Sequence, residues 1–171
     1  FIEGRRYMSF SKVTSIELIN FMSLKHTKLT FDETGILNLK GYNSSGKSAV
    51  ERAFAVCTMN KYARSQVKYI HHGEDFFRII LSFDDGVSIL RDKYINGQSL
   101  YEMYKDKKCI FTTKQGSKLA RVEDVPSIIK EYLGLVETSL GYLNYQEREA
   151  PLWLVSTKGS ENYNDVNEAL K

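Results

Sequence analysis

The stretch "GYNSSGKS", Gly41 to Ser48, constrains this chain more than any other. It fits the spacing G-x-x-x-x-G-K-[ST], in which backbone N–H groups wrap an anion at the start of a helix. Gly41 and Gly46 admit backbone angles that bulkier residues resist, so successive N–H groups converge into a concave nest. In that arrangement Lys47 reaches the β- and γ-phosphates of a nucleotide and the Ser48 hydroxyl is a magnesium ligand. The pattern carries weight only between a buried strand and a helix. Upstream, "GILNLKG" (Gly35 to Gly41) holds Ile36, Leu37 and Leu39 in a short strand-like run. Downstream, Val50, Ala53, Phe54 and Cys57 fall at i, i+3, i+4 and i+7, one face of an amphipathic helix. Strand, loop and helix in this order predict an α/β fold.

The flanking sequence predicts mostly strands. "KVTSIELIN" (Lys12 to Asn20) alternates β-branched and aliphatic residues, and "TKLTF" (Thr27 to Phe31) is expected to pair with it across the polar link Ser23 to His26. From Val67 to about Thr113 the reading is strands only. "FFRIILSF", "VSILRDKYI", "SLYEMYK" and "KCIFTT" are separated by "DDG", "NGQ" and "DKK", which is turn chemistry and predicts an antiparallel meander. "IILSFDD" imitates an apolar strand ending in magnesium-binding acids, but Gly86 and a new strand follow Asp84 and Asp85, so a hairpin turn is the better reading. A helix is expected over Val122 to Leu135, with Pro126 in its first turn and Gly134 at its end. An extended segment, "YLNYQEREAPLWLVSTKGS", and a polar helix from Glu161 to Lys171 complete the pattern.

Composition excludes several classes. In 171 residues, 42% hydrophobic and 26% charged, the balance is that of a globular domain rather than a disordered chain. No apolar run reaches the length of a membrane span and no signal peptide is visible, which places the chain in the cytoplasm with no membrane partner. Cys57 and Cys109 are far apart and suggest neither zinc site nor disulfide framework; Cys57 reads as a small apolar residue of the helix face. His71 and His72 read as loop residues, because neighbours on a strand point to opposite sides. A net charge of +3 permits contact with nucleic acid without arguing for it. "IEGR" (Ile2 to Arg5) resembles a tag-removing protease site, so residues 1–7 are expected to be a tag remnant and Met8 the native start. "NEALK" stops inside a helical pattern, and more chain is expected beyond Lys171.

The order of strand, "NF" (Asn20, Phe21), second strand, phosphate loop, meander with "SILRDKYINGQSLY", short helix ending in Gly134, then glutamine before "PLWL" is similar to the N-terminal ATPase lobe of SMC-like DNA-repair ATPases. The type most like it is the ATPase subunit of the SbcCD nuclease complex and related phage recombination exonucleases. The resemblance covers Lys12 to Lys171. It implies a P-loop NTPase of ABC/SMC type, with a mixed sheet around the P-loop helix plus the antiparallel meander, over residues 8–171. The coiled coil and C-terminal lobe would lie elsewhere. It also implies ATP and Mg2+ as cofactors, with Asn43, Ser44, Ser45, Gly46, Lys47, Ser48 and Ala49 around the nucleotide, and Gln146 completing the metal shell with Ser48 and sensing the γ-phosphate. Lys47 and Gln146 would serve hydrolysis.

Three positions depart from that pattern. Ser44 stands where glycine is frequent, Ala49 where a second hydroxyl is usual, and Met22 where an arginine often touches the nucleotide; Lys25 or His26 is the candidate substitute for Met22. No "LSGG"-like signature, no Walker B with a catalytic glutamate and no switch histidine is found. The implied partners are a second ATPase head, a nuclease subunit and DNA bound without sequence preference. A RecF/OLD-like ATPase and a degenerate, non-hydrolysing P-loop module remain as alternatives.

Overall fold

The computed structural model describes residues 11–32, 39–43, 45–61, 63–116, 118–119, 121–134, 137–138 and 141–142. The chain divides into two compact units, Phe1–Ile129 and Lys130–Lys171.

The first unit is built on a six-stranded sheet. Its strands are β1 (Val13–Phe21), β2 (Leu24–Thr30), β3 (Phe76–Phe83), β4 (Val87–Tyr94), β5 (Ser99–Lys105) and β6 (Lys108–Thr112), in the spatial order β2-β1-β3-β4-β5-β6. Every pairing is antiparallel. The period of two sends Ile16 and Leu18 of β1, Phe77, Ile79 and Leu81 of β3, Ile89 of β4 and Tyr101 of β5 to one fully buried face. Against that face lies α1 (Lys47–Met59), which packs on β1, β3 and β4 and buries Ala53, Val56 and Cys57 completely. Phe54, read as a core position, is only half-buried and packs on Phe31, with ring centroids 6.1 Å apart.

All four meander strands lie where the sequence places them. The mixed sheet does not appear among the described residues: β1 is flanked by β2 on one side and β3 on the other, so the first hairpin and the meander fuse into one antiparallel sheet. Most of the strand expected before the loop falls on residues 33–38, outside the described residues, as do residues 1–10 and 143–171. The strands-only reading from Val67 also needs correction, because a 3-10 helix runs Ala63–Tyr69.

Two boundaries shift for identifiable reasons. β2 begins at Leu24 rather than Thr27, after a tight turn at Met22 and Ser23 in which Phe21 pairs with Leu24. Met22 takes a left-handed φ of 53° there. Its N–H donates to Tyr69 O at 2.7 Å, and its own carbonyl accepts from His71 Nδ1 at 2.7 Å, so contacts distant in sequence hold the turn. The second helix, α2 (Ser127–Leu133), starts five residues later than Val122. Proline disfavours a helical conformation in the residue before it, so Val125 cannot be helical ahead of Pro126. The first helical bond accordingly runs from Ile129 N to Pro126 O, 3.0 Å. In the second unit, β7 (Glu137–Thr138) and β8 (Gly141–Tyr142) form a short antiparallel pair.

Candidate functional site

The phosphate-type loop closes on itself through its lysine. Gly46 is the N-cap of α1 with φ 90° and ψ 3°, a left-handed conformation that turns the chain into the helix. Lys47 then folds back, and its Nζ donates to Gly41 O and Tyr42 O, each at 2.6 Å, and to Ser45 Oγ at 3.4 Å. Both glycines are needed for space as well. A Cβ on Gly41 would lie 2.7 Å from Ser45 Oγ, and one on Gly46 would lie 3.0 Å from Leu24 Cδ2. The loop therefore rests on the start of β2.

The helix end that this loop presents is electrostatically open. α1 has no side-chain N-cap and no acidic residue in its first turn, so nothing in that turn offsets its positive end. The ammonium of Lys47 lies over the same loop, and Ser48, the second residue of α1, is exposed. Asn43 and Ser45 are exposed in the loop, and Tyr42 projects from it at 92% exposure. These groups together present an uncapped helix terminus, one ammonium and the exposed hydroxyls of Ser45 and Ser48 to solvent, which is a donor set suited to an oxyanion.

Other expected site residues stand differently. Ala49 faces the core at 3% exposure, and its N–H already donates to Gly46 O at 3.0 Å. Its methyl therefore contributes to packing under the loop. Lys25 is exposed on β2, beside the Leu24 that touches Gly46. Ser44 and Gln146 lie outside the described residues. Asp84 and Asp85 occupy a hairpin turn, as read: Asp84 Oδ1 accepts from Lys12 N at 2.9 Å, and Asp85 Oδ1 from Val87 N at 3.0 Å. His71 is half-buried against the β1–β2 turn and His72 is exposed; no group of three or more His, Cys, Asp or Glu positioned for a metal occurs among the described residues. Burial pushes the Cys57 thiol up to about 12, which removes it as a nucleophile at neutral pH.

Sequence reasoning missed a buried polar cluster at the opposite end of α1. Arg91, on the inner face of β4, is completely buried and forms no salt bridge among the described residues. Its guanidinium donates to Asn60 Oδ1 at 2.9 Å, Gln66 Oε1 at 3.1 Å, Asp92 O at 2.9 Å and Leu100 O at 3.4 Å, and it stacks 4.4 Å from the centroid of the Tyr101 ring. Tyr101 in turn donates from its hydroxyl to Val56 O, 3.2 Å, near the end of α1. The negative end of the helix and neutral carbonyls thus stand in for a counter-ion. On the outer face Asp92 is taken up bidentately by Arg78, with both contacts at 2.8 Å. The missed signal is parity: Val87, Ile89, Arg91 and Lys93 share one side of a strand whose apolar members point inward.

An α/β unit in which a loop with left-handed Gly46 feeds a helix packed under an antiparallel sheet is a recognisable class. Among solved structures the fold is similar to that of an SMC ATPase characterised for ATP-driven dimerization and DNA-stimulated activation, with TM-score 0.62 and 16% identity over 92% of this chain and 98% of that one. The protein has the SMC-like ATPase-lobe fold. Structures of the recombination mediator RecF, with ATP and with an ATP analogue, align less completely. Their TM-scores are 0.49 and 0.48 at 23% and 24% identity, over 58% of this chain and 28% of each RecF chain. No protein-family model matches the sequence, and no curated protein does. Among the described residues no helix is long and apolar enough to cross a membrane.

Proposed function

We propose that the chain is the ATP-binding half of an SMC-like ATPase head. The observation that carries this reading is the Lys47 ammonium drawn over Gly41 O and Tyr42 O at the uncapped start of α1, within a fold of SMC type. The residues present fit a nucleotide triphosphate. Lys47 and the N–H groups of the loop hold its phosphates, Asn43 and Ser45 border them, Ser48 offers a hydroxyl to Mg2+, and Lys25 flanks the loop from β2. Ser44 and Gln146 are assigned to the same site from the sequence pattern, Gln146 as the second metal ligand.

Hydrolysis belongs to the complete head, in which a second lobe and a second head supply the remaining groups. Binding of nucleotide between two heads then couples its free energy to their engagement, and turnover releases them. DNA, bound through its backbone, and a nuclease subunit are the partners this reading assigns, in break repair, recombination or replication. Calorimetry with Mg-ATP tests the site on the chain and its Lys47→Ala variant. Binding that disappears in the variant is expected. Equal binding by both proteins, or none by the parent chain, would overturn the proposal.

A further inference from the structure

The hairpin joining β4 and β5 carries a cavity that the nucleotide site does not use. Its volume is about 620 Å³, within the range of ligand sites, and it is lined by Lys93, Gly97, Arg121 and Glu123 with Val67 and Ile95 as its apolar wall. Lys93 shares the inner face of β4 with Arg91 and is 6% exposed. Its Nζ makes one hydrogen bond, to Gly97 O at 2.9 Å, leaving two of its three donors unused. Arg121 lies along the same turn, its Nε 3.4 Å from where a Cβ on Gly97 would sit. The rim of the cavity is held in place from three sides. Val122 N donates to Ser99 Oγ at 2.9 Å, Val122 O accepts from Asn60 Nδ2 at 3.3 Å, and Leu119 O accepts from Gln98 Nε2 at 3.2 Å. The cations are therefore positioned before any ligand arrives.

Charge selects the class of ligand. Neither Lys93 nor Arg121 is in a salt bridge among the described residues, and Arg121 makes no side-chain hydrogen bond there. Burial first, and then the charges of Arg91 and Arg121, lower the pKa of Lys93, and an anion beside it would relieve both costs. The lining holds two cations and one acid, Glu123, a net charge of +1. Arg91 does not line the cavity, and its guanidinium is already taken up by four acceptors. A single carboxylate balances the lining, whereas a phosphate dianion or a polyanion would exceed it and meet Glu123. The planar fork of Arg121 suits a carboxylate taken bidentately, with Lys93 donating from the base. Ile95 is itself 60% exposed, so the apolar wall runs out onto the open surface. A small free carboxylate leaves that wall wet, while a peptide brings an acidic side chain and apolar neighbours together.

We propose that this cavity docks an acidic side chain of a protein partner, with its carboxylate on Lys93 and Arg121 and an apolar neighbour of that residue against Val67 and Ile95. The surface is distinct from the loop around Lys47, and the inference does not rest on nucleotide binding there.

The test titrates the whole, isotopically labelled chain with a blocked pentapeptide carrying one glutamate between two leucines. It follows the arginine Nε–H resonances, the signal missing from Arg121→Ala being that of Arg121. The same peptide with glutamine in place of glutamate, sodium propionate and inorganic phosphate are the comparison ligands, and thermal melting checks that each variant folds. A saturating shift of the Arg121 signal by the glutamate peptide is expected, with affinity about tenfold lower for the glutamine peptide and for Lys93→Met, which keeps the buried stem. Glu123→Gln should tighten binding, and Lys47→Ala should bind the peptide as the parent does. Equal affinity for the two peptides would overturn the carboxylate contact. Propionate or phosphate bound as tightly as the glutamate peptide would make the cavity a site for a free anion and overturn the protein partner. An Arg121 signal in the folded parent that no ligand moves overturns the site itself.

Discussion

Asn60 sits where α1 ends, and replacing it separates two contributions that the structure superimposes. It is 4% exposed and holds φ 48°, with its backbone N–H on Ala55 O. Its Oδ1 accepts from Arg91 Nη2 at 2.9 Å and Gln66 Nε2 at 3.0 Å, and its Nδ2 donates to Val122 O at 3.3 Å. Asn60→Ala removes all three side-chain bonds and puts a Cβ-bearing residue without local hydrogen bonding in the left-handed region. The lost acceptor of a buried guanidinium costs ~1.5–3 kcal/mol. The Val122 contact adds roughly 0.5–1 kcal/mol, and the left-handed strain on alanine about 1 kcal/mol. Gln66 Nε2 retains Lys61 O at 2.8 Å, so no further cost falls on it. The expected destabilisation is about 4 kcal/mol. Asn60→Gly relieves only the strain, and should recover about 1 kcal/mol while remaining about 3 kcal/mol below the parent. Urea unfolding of the three proteins, with m-values compared, reads these differences directly. A glycine variant as stable as the parent would show that Asn60 serves only its backbone conformation, and the argument for the Arg91 cluster as an anchor of α1 would fail.

Two further predictions concern the same helix. Because burial raises the Cys57 thiol pKa to about 12 from an ordinary value of 9.0, the folded state holds that proton more tightly than the unfolded state. This contribution to stability is fully present below about pH 9 and is lost as pH rises toward 12. Urea unfolding should therefore weaken more steeply with alkali in the parent than in Cys57→Ala, and a thiol reagent at neutral pH should label exposed Cys109 at once and Cys57 only on unfolding; equal labelling rates would refute the burial argument. At the other end, Gly46→Ala meets both a φ of +90° and Leu24 Cδ2 at 3.0 Å. It should cost roughly 1–3 kcal/mol. Adding Leu24→Ala should not restore stability, since the backbone strain remains; full recovery in the double variant would show that contact alone mattered.

The strands of the meander were legible because their information is local. Period-two alternation and the turns "DDG", "NGQ" and "DKK" suffice to place β3 to β6, and Pro126 is itself the reason that α2 starts at Ser127. The turn at Met22 and Ser23 was not legible in its position, because Met22, which takes the left-handed φ, is not a turn former and the polar run Ser23 to His26 suggested a longer link. Its conformation is imposed by Tyr69 and His71, from a segment nearly fifty residues away. The continuity of the sheet was hidden for a related reason: β1 pairs with β3 across the whole loop and helix, and no local pattern encodes that pairing. In the candidate site, the spacing of Gly41, Gly46 and Lys47 revealed the loop, whereas the role of Leu24 beneath it is purely tertiary. Arg91 and Lys93 were readable by parity on β4. A charge on an inward position is ordinarily taken as a break in the pattern rather than as a feature of it.

The helix α1 is thus fixed at both ends by unlike means. At its start, Lys47 and Leu24 close the loop with contacts that are exposed and few. At its end, Asn60, Arg91 and Tyr101 form a buried cluster in which each polar partner depends on another. Packed interiors resist displacement, while solvent-exposed hydrogen bonds open readily. An anion arriving at the loop therefore meets a part that can rearrange, mounted on a part that cannot. In the proposed function the lysine would exchange Gly41 O and Tyr42 O for the phosphates, while the helix axis stays referenced to β4. Because β4 also carries Lys93, on the same face and two residues beyond Arg91, the cluster ties the end of α1 to the strand that leads into the β4–β5 hairpin. A substitution that loosens Arg91, such as Asn60→Ala, should accordingly lower thermal stability and Mg-ATP affinity together, while Lys47→Ala should lower the affinity and leave the stability near that of the parent.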